Sequence, residues 1–311
     1  MLALYIIIAV LFFVAINIFI GSYVGYKMSF HVNRKEKSNK ITTKMMPNDF
    51  DAYHDFIFDC RDKILALPSE SVFITSHDNL KLHATYYEFC KGAPIEILVH
   101  GYRSNSHRDM AIYILRCQKL KHNALVIDQR AGGLSEGKVI TFGIKERYDI
   151  LSWSNYLVER FPDCKIILSG ISMGSATVLM ATGLDLPKNI WYVVADCGYS
   201  CVRSIITDVM KKLKLPANAL FPFVKIGAKL YGKFNIEETS PIDEIKKSKV
   251  PIIFFHGTKD DFVPYQMGVD NFNACPTKKK LVTFTGVGHA LCYYAEPDKY
   301  FNELVEFEKS L

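Results

Sequence analysis

Lys165–Thr177 reads KIILSGISMGSAT. An apolar run of strand length leads into Gly170-x-Ser172-x-Gly174, and small and apolar residues that suit a helix follow. By composition alone, G-x-S-x-G arises in about one chain of this length in ten. The pattern gains meaning from its context. A serine on a sharp strand-to-helix turn is held clear of the backbone and near a helix N-terminus. Such a turn leaves no room for bulk on either side, hence the glycines. A hydroxyl is a poor nucleophile without a base, so the rest of the chain must supply one.

The surrounding pattern fits an α/β fold. The runs IEILVHG, ALVIDQ, KIILSG, WYVVADC, IIFFHG and LVTFTG alternate with helix-length segments. Such alternation predicts a mostly parallel sheet covered by helices on both faces. Ahead of them, SVFITSHDNLKLHATYYE alternates about His77-Asp78-Asn79, the signature of a hairpin. Residues 51–67 place Phe56, Cys60, Ile64 and Leu67 at helical spacing and stop at Pro68. The interval from Asp196 to Val250 is too long for a plain crossover and predicts a small cap, about 198–249. In it Val202, Ile205, Ile206, Val209, Met210 and Leu213 form one helical face ended by Pro216. Phe221, Phe223, Tyr231 and Phe234 are expected to line a cleft beneath that cap.

Ligands of open α/β sheets bind beyond the carboxyl ends of the strands, and the hydrolase order is serine, acid, histidine. Seven of the nine histidines precede Ser172. His256 ends an apolar run, with Asp196 as the sole strand-end acid before it. His289, in TGVGHAL after the last apolar strand, is the expected base. Acids available to it are Asp260 and Asp261, just past IIFFHG, and Asp196, one strand earlier. Asp260 is expected to orient the imidazole and Asp196 is its competitor. The oxyanion of a tetrahedral intermediate needs backbone N–H donors, expected from Met173 and from Tyr102 in VHGYRSNS. His100 then reads as a structural loop residue. No H-E-x-x-H, Walker or dinucleotide-binding glycine pattern is present, so neither cofactor nor metal is expected. Cys197 and Cys201 have no second Cys/His pair to make a zinc site.

Taken together, ITSHDNLKLHATYY, LVHGYRSNS, VIDQRAGGLSEG, GISMGSAT, HGTKDDFVP and GVGHA make the chain from Pro68 onward resemble the α/β-hydrolases. The resemblance is to their serine aminopeptidase-like and prolyl-oligopeptidase-like branch, and especially to bacterial membrane-anchored members of unknown substrate. It implies a Ser-His-Asp triad. Its H-G-x-x-D-x-x-V-P pattern falls on His256, Gly257, Asp260, Val263 and Pro264, favouring Asp260 over Asp261. In DQRAGGLSEG, Gly132 stands where relatives often carry His, a position the resemblance makes loop-stabilising.

The 311 residues include 49% hydrophobic and 23% charged side chains, a globular composition. The net charge of +6 is concentrated: residues 27–44 hold six basic residues against Glu36. The remainder is nearly neutral, so a nucleic-acid-binding face is not expected. Residues 1–26 carry no charge and interrupt their apolar run only with Asn17 before Gly21. Twenty helical residues span about 30 Å, a bilayer's hydrocarbon thickness. No basic residue precedes this run and no small-x-small site follows, which disfavours a cleaved signal. A membrane anchor is therefore expected over 1–26, then a basic juxtamembrane linker over 27–50 that suits anionic headgroups, and a hydrolase domain over 51–311. Retention of positive charge inside predicts a cytoplasmic domain, and eight scattered cysteines suit a reducing compartment.

The expected function is hydrolysis of an acyl bond, a carboxylic ester by first preference, with lipid-like or fatty-acyl substrates suggested by the anchor and apolar cap. A peptidase or acyl-thioesterase on the same triad is the alternative reading. A non-catalytic anchored scaffold is a third.

Overall fold

The computed structural model describes residues 1–33 and 52–311. Two helices come first, α1 (Leu2–Ser29) and α2 (His54–Leu65), then strands β1 (Glu70–Thr75), β2 (Lys81–Tyr87) and β3 (Ile95–Val99). Two more helices, α3 (Ser106–Asp109) and α4 (Ala111–Leu120), lead to β4 (Asn123–Ile127) and α5 (Glu146–Arg160). The quoted stretch supplies β5 (Ile166–Ile171) and α6 (Met173–Ala181), and β6 (Ile190–Asp196) follows. The long insertion holds α7 (Val202–Lys212), α8 (Ala217–Gly227), a π-helical turn (Ala228–Gly232) and α9 (Pro241–Ile245). The chain continues through β7 (Ile252–Gly257), α10 (Tyr265–Ala274), β8 (Lys279–Phe284), α11 (Cys292–Ala295) and α12 (Pro297–Lys309).

The strands form one eight-stranded sheet in the order β1-β2-β4-β3-β5-β6-β7-β8, antiparallel at β1–β2 and β2–β4 and parallel elsewhere. The expected hairpin is present: Asn79 takes a positive φ of 64° at its tip, and the Leu80 N–H donates to the Ser76 hydroxyl at 2.9 Å. Every residue of β3, β4, β5 and β7 is buried, as their predominantly apolar runs require. The period-two alternation of a strand divides these side chains between two cores. Leu98, Ile167, Ile253 and Phe255 meet α2, α4 and α12 on one face. Ile97, Leu168, Ile252 and Phe254 meet α5, α6 and α10 on the other, around the wholly buried Trp153.

Several details differ from expectation. The first helix runs to Ser29, three residues beyond the expected anchor, and Phe30 is wholly buried. Of the linker expected over 27–50, residues 34–50 lie outside the described residues. In α2, Cys60 and Ile64 are buried, but Phe56 is 48% exposed at the surface, where its ring meets Tyr294 edge-on. In α7, Val202, Ile205, Ile206 and Met210 are buried. Leu213 follows the end of the helix, leaves its face, and is 57% exposed. Pro216 opens α8 as well as separating it from α7.

A third cluster of buried apolar side chains lies beyond the carboxyl edge of the sheet. It joins Tyr26 and Phe30 of the first helical segment to Met173 and Met180 of α6 and to Val202, Phe221 and Phe234 of the insertion. The aromatic residues expected to line a cleft are spent in this contact. Phe223 sits against Gly21, where a Cβ would lie 2.9 Å from its ring. Tyr231 packs edge-on against Phe19 and Tyr23, and Phe234 against Phe30. These rings face α1 because it offers an apolar surface that the short cap helices cannot cover from within.

Candidate active site

At the end of β5 the chain must turn into α6 within one residue. Ser172 makes that turn with φ 55° and ψ −117°, a conformation L-residues rarely adopt. The flanking glycines are required by space. A Cβ on Gly170 would lie 2.3 Å from the Gly174 carbonyl oxygen. One on Gly174 would lie 2.0 Å from the Val99 oxygen and 2.7 Å from that of His100. G-x-S-x-G is therefore the imprint of β3, β5 and α6 meeting at van der Waals distance.

The Ser172 hydroxyl is 2.9 Å from Nε2 of His289, whose Nδ1 is 2.7 Å from Oδ2 of Asp260. Ser172 donates to the imidazole, and the imidazole to the carboxylate. Asp260 sits in the loop after β7 and is buried. Its Oδ1 accepts the N–H groups of Phe262 and Val263 at 2.9 and 2.8 Å, so the loop folds around the carboxylate. Burial by itself would push this carboxyl's pKa up. The positive charge available to His289 and the hydrogen bonds from His256 and His289 outweigh burial and hold it well below the usual range.

The other candidates are placed apart. Asp196 is buried at the end of β6 and accepts a hydrogen bond from the Tyr113 hydroxyl at 2.9 Å; its backbone carbonyl accepts the Ser172 N–H. Burial pushes its carboxyl up to about 6 against the opposing Tyr113 hydrogen bond. Asp261 is solvent-exposed and lies 3.4 Å from Lys212 of α7. His256 donates from Nε2 to the Val263 carbonyl at 2.9 Å, bracing the loop that carries Asp260.

The loop after β3 passes beside the serine: a Cβ on Gly101 would lie 3.7 Å from that of Ser172. Tyr102 follows Gly101 directly in this loop, and Met173, the first residue of α6, follows Ser172. His100 is structural, with Nδ1 donating to the Gly101 carbonyl at 2.8 Å and Nε2 accepting the Gln129 N–H at 3.1 Å. Two supports were not anticipated from sequence. Asp109 accepts the Gly101 N–H at 3.1 Å, and the Gln129 amide donates to the His100 carbonyl at 2.6 Å. The quoted LVHGYRSNS and VIDQRAGGLSEG contain Gln129 and stop short of Asp109; neither shows that the two loops touch. Gly132 lies in the second loop, where a Cβ would come 2.9 Å from the Gln129 oxygen and 3.3 Å from His100 Nε2.

Among the described residues, two groups bring possible metal-ligating atoms within 4.8 Å of one another: Cys197, Asp260 and His289, and His77, Asp78 and Asp149. In the first, both imidazole nitrogens of His289 already serve Asp260 and Ser172. In the second, Arg130 bridges the two carboxylates. His289 and the three carboxylates are thus engaged in hydrogen bonds of their own.

The chain is similar in sequence and fold to known proteins. The chain is 26% identical over 220 residues to the uncharacterized protein YqkD of Bacillus subtilis, covering 70% of this chain and 69% of that one. It is 27% identical over 219 residues to protein bem46 of Schizosaccharomyces pombe, covering 69% and 67% respectively. The structure of the Pyrococcus furiosus esterase Pf2001 superposes with a TM-score of 0.64 at 27% identity, covering 80% of this chain and 93% of that one. The sequence profile of the prolyl oligopeptidase family matches residues 141–309, which include Ser172, Asp260 and His289. With more than half its length so matched on this fold, the chain belongs to the prolyl oligopeptidase family and is an enzyme of the α/β-hydrolase type.

Proposed function

We propose that the protein is a serine hydrolase that cleaves a carboxylic ester, with Ser172 as nucleophile, His289 as general base and acid, and Asp260 as the group that orients it. The observation that carries this reading is the continuous hydrogen-bond chain from Ser172 Oγ through His289 to Asp260, at 2.9 and 2.7 Å. Ser172 Oγ attacks the acyl carbonyl carbon while His289 Nε2 takes its proton. The oxyanion accepts hydrogen bonds from the N–H groups of Met173 and Tyr102. Collapse expels the alcohol, which receives the proton from His289, and leaves an acyl-enzyme. Water, deprotonated by His289, then attacks the acyl carbon and releases the acid and free Ser172.

The esterase named above supports an ester over an amide; the family's name favours a peptide bond on the same residues. A fluorophosphonate probe tests the nucleophile: labelling should vanish in Ser172→Ala, and its persistence there would refute the assignment. A panel of p-nitrophenyl esters of rising chain length, run beside peptide and thioester substrates, tests the bond.

We further propose that α1 anchors the enzyme in a membrane, with the hydrolase domain on the cytoplasmic side. Its strongly apolar composition and 28-residue length support a span, and residues 2–20 are exposed. An anchored site suits acyl esters drawn from the lipid. A membrane-impermeant thiol reagent should leave the exposed Cys90 unlabelled in intact cells and label it after lysis. Labelling of Cys90 from outside would overturn the orientation.

A further inference from the structure

The end of α1 does more than lead into the domain. A helix leaves its last carbonyls without intrahelical partners, and those at the end of α1 are met by the loop that follows β3. The Tyr102 hydroxyl donates to the Ser29 carbonyl at 2.7 Å. The Arg103 guanidinium donates to the carbonyls of Met28 at 2.8 Å and His31 at 3.1 Å. A cation at a helix C-terminus also meets the negative end of the helix dipole. Burial pushes the Tyr102 phenol up to about 12, so its hydroxyl keeps the proton it donates.

This loop is not held by conformational preference. Arg103 has a φ of 50°, in the left-handed region that β-carbon-bearing residues enter at a cost. It stands one residue after Tyr102, whose N–H is the proposed oxyanion donor. On the near side the Gly101 N–H is held by Asp109, and the Gly101 carbonyl accepts from His100 Nδ1. On the far side Tyr102 and Arg103 are held by α1, and beyond them the Arg108 guanidinium donates to the Ser104 hydroxyl at 2.6 Å.

The helix is itself clamped. Gly25 packs on α8, where an added Cβ would meet the Val224 side chain at 3.1 Å. A Cβ on Gly227 would lie 2.2 Å from the Ser22 carbonyl oxygen. After the helix, the Val32 N–H donates to the Lys138 carbonyl and the Ile140 N–H to the Phe30 carbonyl, both at 2.9 Å. Phe30 packs edge-on against Phe142, whose ring also meets that of Tyr102 at 5.0 Å. Cap, helix end and loop form one connected body.

We propose that Arg103 is a positioning residue: by latching the loop after β3 to the C-terminal carbonyls of α1, it sets the Tyr102 N–H for the oxyanion, so that the docked helix is part of the catalytic apparatus. The inference rests on the proposed role of Ser172 and its oxyanion donors.

The test uses the full chain in detergent micelles with p-nitrophenyl butyrate, measuring kcat and KM. Arg103→Ala should lower kcat by about tenfold to a hundredfold, at or below the loss of a whole oxyanion donor, with KM changed less than threefold. Arg103→Lys should recover part of kcat, since an ammonium can serve one of the two carbonyls. Gly227→Ala, which forces α8 from Ser22, should cause a similar loss through the same loop. The double variant should then be no slower than the slower single one. Wild-type kcat in Arg103→Ala, or a loss confined to KM, would overturn the positioning role. Ser172→Ala in the same assay separates the two claims: turnover there would sink the nucleophile, whereas its silence beside a fully active Arg103→Ala would sink only the latch.

Discussion

Replacing Asp260 with asparagine tests the site at its least replaceable atom. The carboxylate presents two different faces. Oδ1 accepts two backbone N–H donors, from Phe262 and Val263, at 2.9 and 2.8 Å. Oδ2 accepts the His289 Nδ1–H at 2.7 Å and lies 3.3 Å from His256 Nε2. An asparagine has one oxygen to offer, and the two backbone donors claim it, since the amide nitrogen in that place would oppose two N–H groups. Its NH2 then faces His289 and can be accepted only by an unprotonated Nδ1. The imidazole proton must move to Nε2, the atom that has to take the proton of Ser172. Side-chain volume is unchanged, so the fold survives while the base is blocked. A wrong-tautomer histidine costs about 10⁴-fold in kcat, or about 5 kcal/mol of transition-state stabilisation. Ester hydrolysis by Asp260→Asn in full-length protein, with KM followed separately, measures it. A kcat within tenfold of wild type would refute the reasoning, as would finding Asp196→Asn to be the crippling change.

Asp196→Asn should leave turnover within a few-fold of wild type, because Asp196 is hydrogen-bonded to Tyr113 and not to His289. It should also alter the pH dependence of stability. A carboxyl raised to about 6 binds its proton more tightly folded than unfolded. Its contribution is full below about pH 4 and lost as pH rises through 6, up to about 3 kcal/mol. The stability difference between wild type and Asp196→Asn in urea melts should shift in the variant's favour over that interval and stay flat above pH 7. Gly174→Ala places a Cβ 2.0 Å from the Val99 backbone oxygen, which no rotamer change relieves. It should cost about 3 kcal/mol or more, read as a lowered urea midpoint or as loss of soluble protein. Phe30→Ala empties a wholly buried site between Phe142 and Phe234 and should cost about 3–5 kcal/mol of domain stability. A variant as stable as wild type would show that the segment after α1 is not part of the core.

Much of the architecture was legible because its determinants are local. Runs such as IIFF of β7 and ALVI of β4 are apolar at every position since strands covered on both faces have no solvent side. The hairpin at His77-Asp78-Asn79 announced itself by alternation and turn residues. Helix faces were read less well where tertiary cover, not periodicity, decides burial. Phe56 and Leu213 fit their helical stripes by spacing yet are exposed: the one meets Tyr294 edge-on at the surface and the other lies past the last turn. The lining assigned to the cap failed for a related reason. Phe223 and Tyr231 are apolar rings on a helical insertion, and nothing in their spacing says whether they turn toward a cleft or toward α1.

By itself the sequence determined the alternating strands and helices, the tight turn at Ser172 and the serine–acid–histidine order. It also determined an apolar helix long enough to cross a bilayer. Each of these follows from residues adjacent in the chain, through steric demands and periodicities that act over a few positions. Only the tertiary structure decided which acid meets His289, because Asp196 ends β6, Asp260 follows β7 by three residues, and the choice turns on how two loops cross. Only it showed that Ser29 and Tyr102, 73 residues apart, share a hydrogen bond. That contact exists because a helix ends with unpaired carbonyls and the folded chain brings the loop after β3 within reach of them.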